Sequence, residues 1–274
     1  MKKIYTLCAA LMAVCSLSAK TIYLQANDDW KSFGAVFFVH SWGGAADADA
    51  KLALVPGEAY LFSADIPDDN NNLLFVRAQG DSQSIPWETE NLWTKTGDLV
   101  IPEGKDCYYL VGWMDGAWLT HGESPAVSIV GNFAEGAWGP EAHPMAVAED
   151  KATASVTFAL TEGTYEMKVW LEGFYLSLNG EGETKYQIHR DWDHADNVNI
   201  VNEGRNFEFV ADQTGDYTFT WTFGSQNLVV TFPEKTSAVE NIQISGKSVK
   251  RIVNGELRIL RDGKTFNALG AELK

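Results

Sequence analysis

Hydrophobic and polar positions alternate along most of this chain with a period of two. The clearest run is Asp216-Tyr-Thr-Phe-Thr-Trp-Thr-Phe223. Tyr217, Phe219, Trp221 and Phe223 alternate there with Thr218, Thr220 and Thr222. Successive side chains of a strand point to opposite faces, so one face is aromatic and the other hydroxylic. A helix would scatter the same aromatics around its girdle. Aromatic and β-branched residues also favour strands. Gly224 to Asn227 breaks the run over a hairpin-loop length, and Leu228-Val-Val-Thr-Phe232 follows. The stretch predicts a hairpin with its aromatic face laid on a core.

Runs of the same kind precede it. Thr21–Gln25, Ala35–Trp42, Tyr60–Ile66, Leu73–Arg77, Leu99–Ile101 and Tyr108–Trp113 read as strands in a first unit. In the second of these, Val36, Phe38, His40 and Trp42 share one face, and Ala35, Phe37, Val39 and Ser41 the other. Residues 79–98 read as a long polar loop carrying Trp87 and Trp93. Val127–Val130, Ser155–Leu160, Tyr165–Leu171 and Phe207–Val210 lead to the hairpin in a second unit. Tyr165, Met167, Val169 and Leu171 form the expected core face there, which turns Trp170 outward among Glu166, Lys168 and Glu172. No stretch after the N-terminus forms an amphipathic helix. Many short strands spaced by turns predict two tandem antiparallel β-sandwiches, over 20–122 and 126–234. Residues 237–274 form a separate tail, where Asn254-Gly255 and Asp262-Gly263 signal tight hairpin turns.

Charge narrows the partners. The chain carries 21 Lys/Arg against 37 Asp/Glu, a formal net charge of −16. The tail is basic and the first residues are basic, so the body over 20–236 holds the acidic excess. Such a body repels phosphate backbones and anionic membranes, which argues against nucleic acid as a partner. A neutral polysaccharide is indifferent to it. Residues 1–19 have a basic start, an apolar run and small residues at the end, the pattern of a secretory signal peptide. Export through the periplasm to the cell surface or the medium is the expectation. No later segment is apolar for long enough to span a membrane. Cys8 and Cys15 leave with the signal, so Cys107 stands alone as a small buried residue.

The candidate chemistry is aromatic. Sugar rings have apolar C–H faces that stack on flat side chains, and their hydroxyls need polar groups beside the ring. The chain has ten tryptophans. Core packing is the ordinary use of such residues, and Trp221 and Trp113 suit it. The glycan-binding candidates are His40, Trp42, Trp87 and Trp93 in the first unit, with Trp170, His189, Arg190 and Trp192 in the second. His189-Arg-Asp-Trp-Asp-His194 is the densest polar cluster, but its spacing fits no transition-metal pattern. Asp191, Asp193, Asp196 and Asn197 offer oxygens suited to calcium, yet the loop lacks the glycine and distal glutamate of a calcium loop. No cofactor or metal is therefore expected. No nucleophile elbow, phosphate loop or catalytic triad pattern occurs, and acidic pairs cannot be assigned to glycoside hydrolysis from adjacency.

Several of these stretches resemble known modules. Asp150–Phe158, Glu162–Val169, His189-Arg190, Gly215–Phe223 and Val230-Thr-Phe-Pro233 are similar to a module of secreted Bacteroidetes proteins, found beside α-amylase-type enzymes and starch-binding domains. Val130-Gly-Asn-Phe133, with Trp138 nearby, looks like the opening of immunoglobulin-like glycan-binding modules. His40-Ser-Trp42, Leu74–Arg77 and Leu92–Leu99 resemble family-26 starch-binding modules, with His40 standing where those modules have a Tyr. Asn254-Gly, Ile259–Lys264 and Phe266–Glu272 resemble a shortened type IX secretion signal, which implies contact with the outer-membrane secretion machinery. The resemblance implies an all-β chain of two tandem immunoglobulin-like sandwiches with a short C-terminal β-hairpin tail. It also implies a non-catalytic binder of poly- or oligosaccharide, with α-glucan favoured. A structural or protein-interaction module of an extracellular assembly is the alternative, and a hydrolase is a third reading.

Overall fold

The alternating runs form strands, and the chain is all-β. The computed structural model describes residues 18–178, 187–191, 200–202, 205–235, 243–244, 248–261 and 263–273. Strand accounts for 53% and helix for 5%, and none of the described sheets closes on itself. The expected signal segment up to residue 17, with Cys8 and Cys15, lies outside the described residues. So do Trp192 and residues 193–197 of the acidic loop. No described helix is long and apolar enough to cross a membrane.

Contacts divide the chain at Phe232 and Pro233. In the first of the two units, the described strands form four sheets. One sheet runs Asp115–Leu119, Cys107–Val111, Ala19–Gln25, Leu61–Pro67 and Ala53–Leu54. A second runs Ala48–Lys51, Val36–Trp42, Asn72–Ala78 and Leu92–Lys95, with Leu99–Val100 also paired to Asn72–Ala78. Ile22, Leu24, Ile66 and Leu110 of the first sheet share one core with Phe37, Val39 and Phe75 of the second. A third sheet is built around Gly163–Leu171, flanked by Phe207–Ala211, Phe174–Leu178 and Val127–Gly131. The fourth runs Ala146–Val147, Thr153–Leu160, Gly215–Thr222 and Asn227–Thr231. Met167, Val169, Leu171 and Phe207 of the third meet Phe158, Tyr217, Phe219 and Trp221 of the fourth. Each pair of sheets is thus sandwich-like.

The hairpin behaves as its pattern predicts. Tyr217, Phe219 and Trp221 are fully buried. On the opposite face the hydroxyls of Thr157 and Thr218 lie 2.8 Å apart on paired strands. Full burial of each apolar side chain stabilises the fold by roughly 1.5–3 kcal/mol.

The strand Cys107–Val111 is buried on both faces, and this couples the two cores. Tyr108 and Leu110 belong to one, Tyr109 and Val111 to the other. The turn 223–227 of the hairpin reinforces the coupling. Gln226 adopts φ 54 and is buried. Its Oε1 accepts from the Gly112 amide at 3.1 Å, and its Nε2 donates to the Leu110 carbonyl. Gly224 lies against the Tyr60 ring, where any Cβ would collide. Cys107 is buried, and burial pushes its thiol up to about 12, with the Asp106 charge adding to the effect.

Two short elements join the predicted strands, and one expectation changes. Residues 48–51 form a strand that pairs with Phe38–Ser41. Asp28–Lys31 forms one helical turn in which the Asn27 side chain accepts from the Trp30 amide at 3.0 Å. The polar stretch 79–98 is not all loop, because Leu92–Lys95 forms an edge strand.

The second unit, Pro233–Lys274, shows five paired strands in the order Gln243–Ile244, Ser248–Val253, Glu256–Arg261, Lys264–Asn267 and Glu272–Leu273. Asn254 and Gly255 have φ 53 and 81, as a tight hairpin turn requires. No residue between 249 and 273 whose burial is described is buried.

Candidate functional site

The second sheet is covered on its outer face by the loop after Ala78. Phe38, Leu74, Val76 and Ala78 point outward and pack with Ile85 of that loop. The loop is closed at its base, where the Gln79 amide donates to the Asn91 carbonyl at 2.9 Å. It is pinned further along, where Lys51 Nζ donates to the Ser82 carbonyl at 2.8 Å. These strands are buried on consecutive residues and so on both faces, and an apolar outer face needs such a lid, because Phe38 and Leu74 left exposed would forfeit their transfer energy.

This lid brings Trp87 to His40 and Trp42. The His40 and Trp42 rings lie near parallel, with centroids 5.3 Å apart and planes 27° apart. Trp87 meets His40 edge-on, at 5.5 Å and 86°. The three rings form a corner of two near-perpendicular walls. Trp87 is 41% exposed, while His40 and Trp42 are half-buried. Trp42 packs on the Phe38–Val76 cluster, which fixes the lower wall. His40 Nδ1 lies 2.7 Å from Asp49 Oδ1, so Nδ1 carries a proton and Nε2 is left for another group. Asp49 reaches it because Ala48–Lys51 pairs with the His40 strand and sets Asp49 opposite His40. The corner offers flat apolar faces beside a polar edge.

The other candidates lie elsewhere. Trp93 is separated from this corner by the sheet itself. Its strand shifts register so that Thr94 pairs with Arg77 and Leu92 with Ala78, leaving Trp93 as an extra residue at a bulge. Leu92 packs on the outer face, and Trp93 stacks on Arg77 instead, with the guanidinium carbon 4.7 Å from the ring centroid. Trp113, expected in the core, is 47% exposed in the turn after Cys107–Val111 and also stacks on Arg77. Nothing in its local alternation marks it, since the strand ends two residues earlier.

Trp170 points outward on the third sheet, opposite Ser128 on one neighbour and Tyr175 on the other. It is half-buried because residues 140–147 fold beside it, leaving a shallow hollow of about 360 Å³ lined by Ser128, Pro140, Pro144 and Val147. His189 is exposed at the end of Gln187–Ile188. Arg190 forks onto Asp212, with Nε to Oδ2 at 2.6 Å and Nη2 to Oδ1 at 2.8 Å. That pair raises its pKa, and the guanidinium also stacks 5.1 Å over the Phe232 ring. Trp192 falls outside the described residues. Among the described residues no group of three or more His, Cys, Asp or Glu would hold a metal ion.

No family model, curated protein or solved structure matches the chain.

Proposed function

We propose that this is a non-catalytic glycan-binding protein whose site is the corner of His40, Trp42 and Trp87. The observation that carries the reading is the right angle between the Trp87 ring and the His40–Trp42 stack. A sugar ring is flat and apolar on its faces and polar on its rim. Its face stacks on one wall, its edge meets the other, and a hydroxyl bonds His40 Nε2 or the Asp49 carboxylate. Lid and sheet hold the rings before any ligand arrives, which reduces the ordering cost of binding. The sequence resemblance to starch-binding modules supplies the choice of α-glucan, and the acidic charge does not oppose a neutral polymer.

The finer arrangement we propose is two tandem immunoglobulin-like sandwiches. The Tyr217 hydroxyl supports this for the second, because it donates to the Gln213 carbonyl at 2.6 Å near the start of its strand. Such a tyrosine corner recurs in immunoglobulin sandwiches. Export to the cell surface or the medium is proposed from the first nineteen residues, and a sorting role for the tail from its likeness to type IX signals. A purely structural module would pack its tryptophans away, and the exposure of Trp87 and Trp93 counts against it.

Titration of the full chain with maltoheptaose tests the site. Trp42→Ala and Trp87→Ala should each weaken binding at the corner by about tenfold or more, the loss of an aromatic anchor. Unchanged affinity in both variants would refute it.

A further inference from the structure

Arg77 occupies a place where a strand on a β core normally carries an apolar residue. It is 4% exposed and lies opposite Phe37 of the inner face, while its neighbours Val76 and Ala78 point outward. Its Nε donates to the Trp30 carbonyl at 2.7 Å, and its Nη2 donates to the Ser32 carbonyl and hydroxyl, each at 2.9 Å. These are neutral oxygens. Burial pulls its pKa down, and the Asp29 charge opposes that shift. Two aromatic rings also face it. The Trp93 and Trp113 rings lie 4.7 and 5.5 Å from its guanidinium carbon.

The two indoles are held rather than loose. Trp93 owes its direction to the bulge opposite Arg77 and Ala78. The turn that carries Trp113 is clamped at three points. Trp30 Nε1 donates to the Trp113 carbonyl, Gln226 Oε1 accepts from the Gly112 amide, and Asn27 Nδ2 donates to the Gly112 carbonyl at 2.6 Å. Yet both rings remain at the surface, 36% and 47% exposed. Phe33, beside Ser32, is 90% exposed at φ 59, a conformation uncommon for a bulky residue. A buried cation, a bulge and a clamped turn thus converge to present aromatic plates to solvent.

We infer that Trp93 and Trp113, fixed by Arg77, form a second saccharide-binding platform on the face of the sheet opposite the His40 corner. The class of ligand rests on the reading given above for that corner; the platform rests on its own geometry. A neutral saccharide fits it better than a protein partner. Both plates stack on one buried guanidinium and are only part exposed, so they offer ring-sized stacking surfaces beside a cation, unlike the charge-depleted core of a protein interface. The chain's net charge of −16 disfavours an acidic ligand. Sites on opposite faces of one sheet cannot engage one short stretch of glycan side by side. They would hold two chains, or two distant stretches of one, and raise retention on a polymer through effective concentration.

Calorimetric titration of the full chain with maltoheptaose, and in parallel with xylohexaose, tests this. The expected stoichiometry is about two oligosaccharides per chain, one for each cluster. Trp113→Ala and Trp93→Ala should each remove the same one of the two, with far-UV circular dichroism unchanged, and the Trp93/Trp113 double variant should do no more. Trp87→Ala should remove the other. Full stoichiometry and affinity in both Trp113→Ala and Trp93→Ala would overturn the second platform while leaving the corner intact. Loss in those variants with none in Trp87→Ala would overturn the corner and leave the platform. Absence of binding to either oligosaccharide would overturn both.

Discussion

The Tyr109 hydroxyl donates to the Phe223 carbonyl at 2.7 Å, joining residues that stand on opposite sides of the expected domain boundary. Tyr109 is 2% exposed, and burial holds its phenol above the usual range. With the Gln226 side chain, it ties the first pair of sheets to the hairpin of the second. His40, Trp42, Trp87, Trp93 and Trp113 therefore belong to one compact unit with the second core.

Unfolding should report that union. All ten tryptophans precede the tail, so their fluorescence reads the first unit alone. Urea should unfold it in one transition. Tyr109→Phe leaves the Phe223 carbonyl without its donor and should cost about 1–3 kcal/mol. Gln226→Ala orphans groups on Gly112 and Leu110 and should cost more. Both should move the midpoint of the whole transition with the slope unchanged. Two separate transitions, only one of them shifted, would contradict the coupling.

Alkali should find the tyrosines. Burial, joined by the bond from the Tyr60 hydroxyl to Asp28 at 2.8 Å, pushes the Tyr60 phenol up to about 12. Burial, with the Asp115 charge, does the same for Tyr108, also to about 12. Both start from 10.0, so the unfolded chain loses these protons first. Their contribution to stability is complete below pH ~10 and is lost as pH rises toward ~12. Ultraviolet titration should show these phenols ionising together with loss of native fluorescence. Tyr60→Phe should reduce the steepness of that loss. Ionisation of every tyrosine near pH ~10 in a still-native protein would contradict it.

Arg190 should act on stability and not on ligand. Both of its forked bonds are given to Asp212, at a half-exposed site. Arg190→Ala should lower stability by no more than about 1 kcal/mol and leave glycan affinity unchanged. Arg190→Lys should behave like Arg190→Ala, because an ammonium cannot form the fork. A loss of glycan affinity with unaltered melting temperature would place Arg190 at a ligand instead.

Much of this was legible in the sequence, and the reasons are local. Alternation assigned Tyr217, Phe219 and Trp221 to the core and Met167, Val169 and Leu171 to the facing sheet. It also put His40 and Trp42 on one face. What it could not reach is set by contacts between distant parts of the chain. Trp87 joins His40 only because Phe38, Leu74 and Val76 need a lid. Trp93 leaves that company because one extra residue at a bulge reverses its direction. Trp113 looked like core because its strand is core, but it sits in the turn beyond. The burial of Gln226 depends on amide and carbonyl groups more than a hundred residues away.

Native gels cast with amylopectin, with pullulan, and with xylan and a galactan as controls, test whether the His40–Trp42–Trp87 corner binds α-glucan. The full chain should be retarded by the α-glucans and not by the controls. Trp87→Ala, with an unchanged fold, should lose most of the retardation that depends on the corner, an affinity change of about tenfold. Equal mobility of the wild-type chain in every gel, or equal retardation of wild type and Trp87→Ala, would contradict it.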